Sequence, residues 1–208
     1  MKKIFVTGID TDIGKTIVSA ILTEALEADY WKPIQAGNLD KSDTDTVREL
    51  LSNSKSVLHK ETYRLTQPLS PHAAAAADGV KIDMDLIRDS MPSTGGRDLI
   101  IEGVGGVMSP VNDLFVVMDL IKSLDAEPVI VSKHYLGSIN HTLLTIDAMR
   151  RKGLPVVGVF FNGKPVQSSV DFIIRYSGIK PLGFIDEEER LDKEVVKKYA
   201  QLFRKEFR

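Results

Sequence analysis

The 208-residue chain reads as an α/β protein: a single domain built on a parallel β-sheet with helices on both faces. Two observations carry that expectation. Short apolar runs bounded by turn residues alternate with helical patterns from end to end, the sequence form of a parallel sheet covered on both sides. The first apolar run, Lys3–Thr7, also passes directly into the loop Gly8-Ile9-Asp10-Thr11-Asp12-Ile13-Gly14-Lys15-Thr16. That is the strand, glycine-bounded loop and helix of a phosphate-cradling P-loop unit.

In chain order, a helix over Lys15–Leu26 follows the loop with apolar residues at helical spacing. The next strand is Tyr30–Ile34, an apolar run interrupted by Lys32 and closed by Gly37. A helix over Thr44–Leu51 is preceded or opened by Asp43 and Asp45, both types that serve as caps or first-turn residues. The alanine run Ala73–Ala77 reads as helix or packing filler, and Met84–Asp89 as a short helix. Leu99–Glu102 is a buried strand ending at Gly103-Val104-Gly105-Gly106. A helix at Phe115–Leu124 leads to a strand at Pro128–Val131, and the turn Leu136-Gly137-Ser138 opens a helix over Ile139–Lys152. The strand Val156–Phe161 is closed by Asn162-Gly163, a turn pair. A helix at Val166–Tyr176 and a strand at Leu182–Ile185 follow. The last helix, Glu187–Phe207, carries Leu191, Val195, Tyr199, Leu202 and Phe203 on a helical period, so its charges form a solvated face. No repeat or linker divides the chain.

Lys and Arg number 27 against 29 Asp and Glu, which gives no bulk electrostatic case for nucleic acid or an anionic membrane and points to small-molecule partners. The absence of cysteine excludes disulfides, thiolate catalysis and cysteine metal sites. No apolar stretch is long enough for a signal peptide or membrane span, and the expected location is the cytoplasm.

In an open parallel sheet, ligands bind beyond the carboxyl ends of the strands, so residues just after each strand are read for chemistry. Gly8 and Gly14 let backbone N–H groups approach phosphate oxygens, the helix N-terminus adds its dipole, and Lys15 adds a charge. Thr16 has the reach to ligate a magnesium ion bridging the phosphates. Five residues separate Gly8 from Gly14, where the common loop has four. Glu102, a carboxylate at the end of a buried strand, is costly unless paired; a magnesium ion shared with Thr16 and phosphate oxygens resolves the cost, as would hydrogen bonds from the glycine-loop amides that follow it. Asp43 and Asp45 both suit helix capping, either one can also reach the metal, and spacing does not choose between them. Lys32, inside an apolar strand, reads either as a surface lysine snorkelling to solvent or, at the sheet's ligand-binding edge, as a cation that steadies an anionic intermediate or a transferring phosphoryl group. The helix start at Ser138 suits a carboxylate, though capping by Ser138 or Asn140 explains it equally. Asn162 suits an adenine edge or a plain Asn-Gly turn. The scattered histidines, His72 and His141 among them, lack metal-ligand spacing.

Taken in order, the glycine loop, Lys32-Pro33-Ile34-Gln35-Ala36-Gly37, Ser70-Pro71-His72, Glu102-Gly103-Val104-Gly105-Gly106 and Leu136-Gly137-Ser138-Ile139-Asn140-His141 resemble the dethiobiotin synthetase family across nearly the whole chain. The five-residue glycine spacing is that family's own pattern. The resemblance implies an ATP- and magnesium-dependent ligase that closes a ureido ring on 7,8-diaminononanoate with carbon dioxide, through a carbamate and a carbamic-phosphoric anhydride. It assigns catalysis to Lys32 and Lys15, with Thr11 beside the reacting groups. The nucleotide would lie against Asp12, Ile13, Gly14, Lys15, Thr16, Ile17, Asp43, Glu102, Gly103, Val104, Gly105, Asn162 and Gly163, with Ile185, Asp186 and Glu187 closing over the adenine. The metal would be held by Thr16, Glu102 and either Asp43 or Asp45, the Ser-Asp pair favouring Asp43. Substrate would meet Thr11, Lys32, Ala36, Ser70 and Pro71. Its carboxylate would be held by Gly137, Ser138, Ile139 and Asn140 across the interface of a homodimer. Ala36 stands where many members have a Ser or Thr, which removes one hydroxyl contact.

The same fold houses dimeric partition and site-selection ATPases that act as switches. Those usually carry a second lysine early in the loop, whereas Ile9, Asp10, Thr11 and Asp12 occupy that segment here. Amidotransferase-type ligases of corrinoid synthesis add a glutaminase domain for which this chain has neither the length nor the cysteine.

Overall fold

The protein is described by a computed structural model covering residues 1–207. Nine strands run β1 (Lys3–Gly8), β2 (Asp29–Trp31), β3 (Ile34–Ala36), β4 (Leu58–His59), β5 (Tyr63–Leu65), β6 (Leu99–Glu102), β7 (Glu127–Lys133), β8 (Gly158–Asn162) and β9 (Pro181–Ile185). Seven form one parallel sheet in the order β4-β2-β6-β1-β7-β8-β9, and β3 pairs with β5 in a small parallel ribbon beside it. The helices are α1 (Lys15–Leu26), α2 (Asp43–Leu50), α3 (Pro71–Ala77), α4 (Met84–Asp89), α5 (Val117–Ser123), α6 (Ser138–Arg151), α7 (Gln167–Ser177) and α8 (Lys193–Phe203), with a 3-10 turn at Arg204–Glu206.

Two apolar layers result, because the central strands are buried on both faces. On one side Ile4, Val6, Ile100, Val129 and Phe160 pack under Ile21 and Leu22 of α1, Val47 of α2 and Tyr199 and Phe203 of α8. On the other, Phe5, Ile101, Ile130 and Phe161 pack under Leu120 of α5, Ile146 and Met149 of α6 and Ile173 of α7. The expected doubly covered parallel sheet is present. Among the described residues, no helix is long and apolar enough to cross a membrane.

Three expectations change. The single strand at Tyr30–Ile34 is two: the chain leaves the main sheet after Trp31 and pairs again, at Ile34, with Tyr63 of β5. Pro33 has no N–H to give a ladder, so the break falls there. The strands β4 and β5, two and three residues long, carry no readable period. The last helix begins at Lys193 rather than Glu187, because the Asp192 carboxylate accepts from the N–H groups of Glu194 and Val195, both at 3.1 Å, and starts the helix there. Its buried residues are Val196, Tyr199, Ala200 and Phe203, while Leu191 lies before it and Leu202 on its outer side, both exposed.

Candidate active site

At the carboxyl ends of β1, β2 and β6 the chain forms a polar cavity of about 390 Å³, lined by Thr11, Asp12, Gly14, Lys15, Thr16, Ile17, Lys32, Gln35, Ala36, Asn38, Asp43, Glu102, Val104 and Gly105. The strand order makes this the place: β1 lies between β6 and β7, so chain to either side of it leaves a crevice at its tip.

The glycine loop forms the rim. Gly14 is the N-cap of α1, with φ +96°, a left-handed turn in which a side chain is strained. Gly8 is in extended backbone, and its role is closeness, since a Cβ there would lie 2.2 Å from Ile13 Cδ1. Ile13 is buried against it, so this loop residue packs and does not face the cavity. Lys15 Nζ donates to the Asp10 carbonyl at 2.7 Å. Burial, aided by the Lys32 charge, pushes the Lys15 ammonium down to about 8.

The floor is a charge cluster. Lys32 Nζ lies 3.0 Å from Glu102 Oε1 and 2.5 Å from Asp43 Oδ2, with the side chains of Lys32 and Glu102 only 4% and 1% exposed. Glu102 Oε1 also accepts from Thr16 Oγ1 at 2.8 Å, and Oε2 from Tyr30 OH at 2.9 Å. Each of the two buried carboxylate oxygens therefore has a partner. Burial alone would lower the Lys32 pKa; the carboxylates of Glu102 and Asp43 outweigh it and raise it, so the side chain is a fixed cation. Desolvation and the Glu102 charge push the Tyr30 phenol well above its ordinary range, so it remains a donor.

The structure separates the two candidate aspartates. Asp43 enters the cavity beside Lys32, its N–H held by Gln35 Oε1 at 3.2 Å. Asp45 turns away: it closes a capping box with Ser42 and pairs with Arg48. Thr16, Glu102 and Asp43 present hard oxygen donors on one cavity, and two carboxylates with a hydroxyl suit magnesium, which completes its shell with phosphate oxygens and water. The two carboxylates already accommodate a cation between them, the Lys32 ammonium. Among the described residues no group of three or more His, Asp or Glu is placed to hold a metal ion.

Ile17 also lines a second, larger cavity of about 960 Å³, with Gly137, Ser138, Ile139, Asn140, Asn162, Gly163, Ile185, Asp186 and Glu187. The residues expected around an adenine thus share one cavity with the loop expected to hold a carboxylate. Its far wall is set from α8: Tyr199 OH accepts from Asp186 N–H at 3.0 Å and donates to Glu188 Oε1 at 2.6 Å. Ser70 and Pro71 line neither cavity; Pro71 is buried at the first turn of α3, and Ser70 Oγ meets His72 Nδ1 at 3.0 Å. Gly103 also lies off the lining, under the Phe5 ring, with its carbonyl 3.4 Å from Lys32 Nζ.

Tyr30, Gln35 and Tyr199 escaped the sequence reading. Strand alternation held the signal for Tyr30, two residues before Lys32 and so on its face. Tyr199 reads only as core from its helical period.

The family model described as an AAA domain matches residues 2–195. The ATP-dependent dethiobiotin synthetase BioD of Cytophaga hutchinsonii is 52% identical over 200 residues, 96% of each chain, and that of Christiangramia forsetii is 48% identical over 204 residues, 98% of this chain and 97% of the other. Among solved structures, the septum site-determining protein MinD of Pyrococcus horikoshii, complexed with Mg-ADP, aligns at a TM-score of 0.59 and 14% identity over 97% of this chain and 95% of that one, a likeness of fold alone. With relatives at this identity over 96–98% of its length, the chain belongs to the ATP-dependent dethiobiotin synthetase family.

Proposed function

We propose that the protein closes the ureido ring of dethiobiotin on 7,8-diaminononanoate, consuming carbon dioxide and ATP and releasing ADP and phosphate, as its family name implies. The observation that carries the reading is the buried Lys32 ammonium, fixed between Glu102 and Asp43 under a phosphate-loop rim. A cation held in a water-poor pocket at that depth stabilises an anion forming above it.

One substrate amine takes up carbon dioxide as a carbamate, whose negative oxygen Lys32 steadies. That oxygen attacks the γ-phosphorus of ATP and ADP departs, leaving the mixed anhydride. The second amine then attacks the carbonyl carbon, phosphate leaves, and the ring closes. Lys15 and the N–H groups from Asp12 to Thr16 hold the phosphates in line, and Thr11 stands beside the reacting groups at the cavity wall. Thr16, Glu102 and Asp43 would hold magnesium, which supplies charge neutralisation at the transferring phosphoryl group. The larger cavity takes the base, with Asn162 and the Ile185–Glu187 segment against it. The protein works in the cytoplasm as a homodimer, and the apolar Met108 and Leu144, exposed in a cleft beside Asp10, suit a partner face next to the site.

Phosphate release from ATP and magnesium, measured with and without 7,8-diaminononanoate and bicarbonate and followed by mass spectrometry, tests the proposal. Release that requires the diamine, with a cyclic urea product, is expected. Release indifferent to the diamine would reject it in favour of a switch-type ATPase.

A further inference from the structure

We infer that Asn162 is a positioning residue for the phosphate loop, a latch joining the base cavity to the phosphate cavity, in addition to any contact it makes with a base. This rests on the loop's proposed role in holding phosphates.

The geometry is specific. Asn162 Nδ2 donates to the Ile13 carbonyl at 2.8 Å. Of the side-chain hydrogen bonds onto the backbone of Ile9–Gly14 among the described residues, this is the one that comes from another strand or helix; the others come from Asp10 and Lys15 of the loop itself. Asn162 is itself fixed. It ends β8, registered against Lys133 of β7 on one side and Ile185 of β9 on the other, and its carbonyl accepts from His134 N–H at 3.1 Å. The loop is shaped around the amide. Gly14 stands at φ +96°, and a Cβ on it would lie 2.3 Å from Asn162 Nδ2. Gly14 is thus required twice over, by its dihedral and by the amide pressed against it.

The consequence follows from what the bond holds. Ile13 precedes the N-cap of α1, and that N-cap has no side-chain hydrogen bond to steady it. The peptide units on either side of Gly14 carry the N–H groups of Gly14 and Lys15, two residues that line the phosphate cavity. Fixing the Ile13 carbonyl fixes the plane of the peptide whose N–H belongs to Gly14, and lowers the ordering cost of binding phosphate. Asn162 lines the base cavity, so a base and a polyphosphate chain meet at one side chain.

The test removes the base from the ligand. Binding of inorganic tripolyphosphate with magnesium is measured by calorimetry on the intact protein and on Asn162→Ala, Asn162→Asp and Lys15→Ala variants. The aspartate keeps the side chain's shape but offers no donor, and its charge repels the Ile13 carbonyl. The latch predicts that tripolyphosphate affinity falls about five- to tenfold in both Asn162 variants, the value of one hydrogen bond. Amide exchange over Ile13–Ile17 should also quicken without ligand. If ATP affinity falls while tripolyphosphate affinity and exchange stay at their native values, Asn162 serves the base alone and the latch is wrong. If Lys15→Ala also binds tripolyphosphate natively, the phosphate reading of the loop fails, and the latch with it.

Discussion

At the scale of single residues, the site is governed by one buried lysine. Lys32 neutralises Glu102 and Asp43, so its removal leaves two carboxylates facing each other at the cavity floor. Lys32→Ala is expected to lower kcat about 100-fold or more, the usual cost of losing a fixed charge at a developing anion, with a far smaller change in the affinity for ATP. Single-turnover ring closure and equilibrium ATP binding separate the two; an equal loss in both would show that Lys32 serves binding. Ala36 lines the same cavity. Ala36→Thr should restore a hydroxyl contact and lower the KM for the diamine about fivefold, and an unchanged KM in steady-state assays would show that the missing hydroxyl limits nothing. Much of this site was legible because charge inside an apolar run is costly: Lys32 within Tyr30–Ile34 and Glu102 after Leu-Ile-Ile each declare themselves. The choice between Asp43 and Asp45 was not legible. Both begin the same helix, and only the path of the chain from β3 turns one toward Lys32 and the other toward Ser42.

At the scale of elements, two side chains tie the sheet to what surrounds it. Asp29 opens β2, fully buried; its carboxylate accepts from Arg97 at 2.7 and 3.1 Å, from Val57 N–H at 3.1 Å and meets His59 Nε2 at 2.9 Å. It thereby joins β2 to the edge strand β4 and to the segment before β6. Burial opposes ionisation, but the Arg97 and His59 hydrogen bonds overcome it and hold the pKa below its ordinary value. A depressed folded pKa contributes stability that is present above the unfolded value near 4 and lost as pH falls through the folded one. Asp29→Asn should therefore cost about 2 kcal/mol near neutrality, and urea titrations should show the gap to wild type narrowing below about pH 4. A gap constant down to pH 2 would refute the ion pair as its source. From α8, the Tyr199 hydroxyl holds both Asp186 and Glu188, so Tyr199→Phe should raise the KM for ATP about fivefold with kcat little changed. An unaltered KM would mean that the wall holds its shape without that hydroxyl. The long, doubly buried strands were readable as apolar runs between glycines. What escaped were β4 and β5, whose ladders are fixed by partners distant in sequence rather than by any local period, and the start of α8, where Asp192 overrode a helical pattern that extends back to Leu191.

At the scale of the whole molecule, the proposed homodimer raises the question of which copy of the chain the Gly137–Asn140 segment serves. Within one chain it lines the larger cavity beside Asn162 and Asp186 and not the smaller cavity that holds Lys32. Leu136 beside it is wholly exposed, and Leu144, one turn further along α6, is exposed as well. Apolar side chains in that position are better explained by a partner than by water. A twofold dimer would carry each loop to the other protomer's site, since an isologous contact exchanges the same elements both ways. Complementation decides between the two arrangements. Lys32→Ala disables the cavity of its own chain, whereas Asn140→Glu, at an exposed position in the first turn of α6, sets a like charge where the proposed dimer would hold the substrate's carboxylate. If the loop acts across the interface, a mixed dimer holds one site with both a sound lysine and a sound loop. Two inactive variants, unfolded and refolded together in equal amounts, should then recover about a quarter of the wild-type specific activity, because half the dimers are mixed and each has one good site. If the loop acts within its own chain, every site in the mixed dimer carries one defect and the mixture stays inactive.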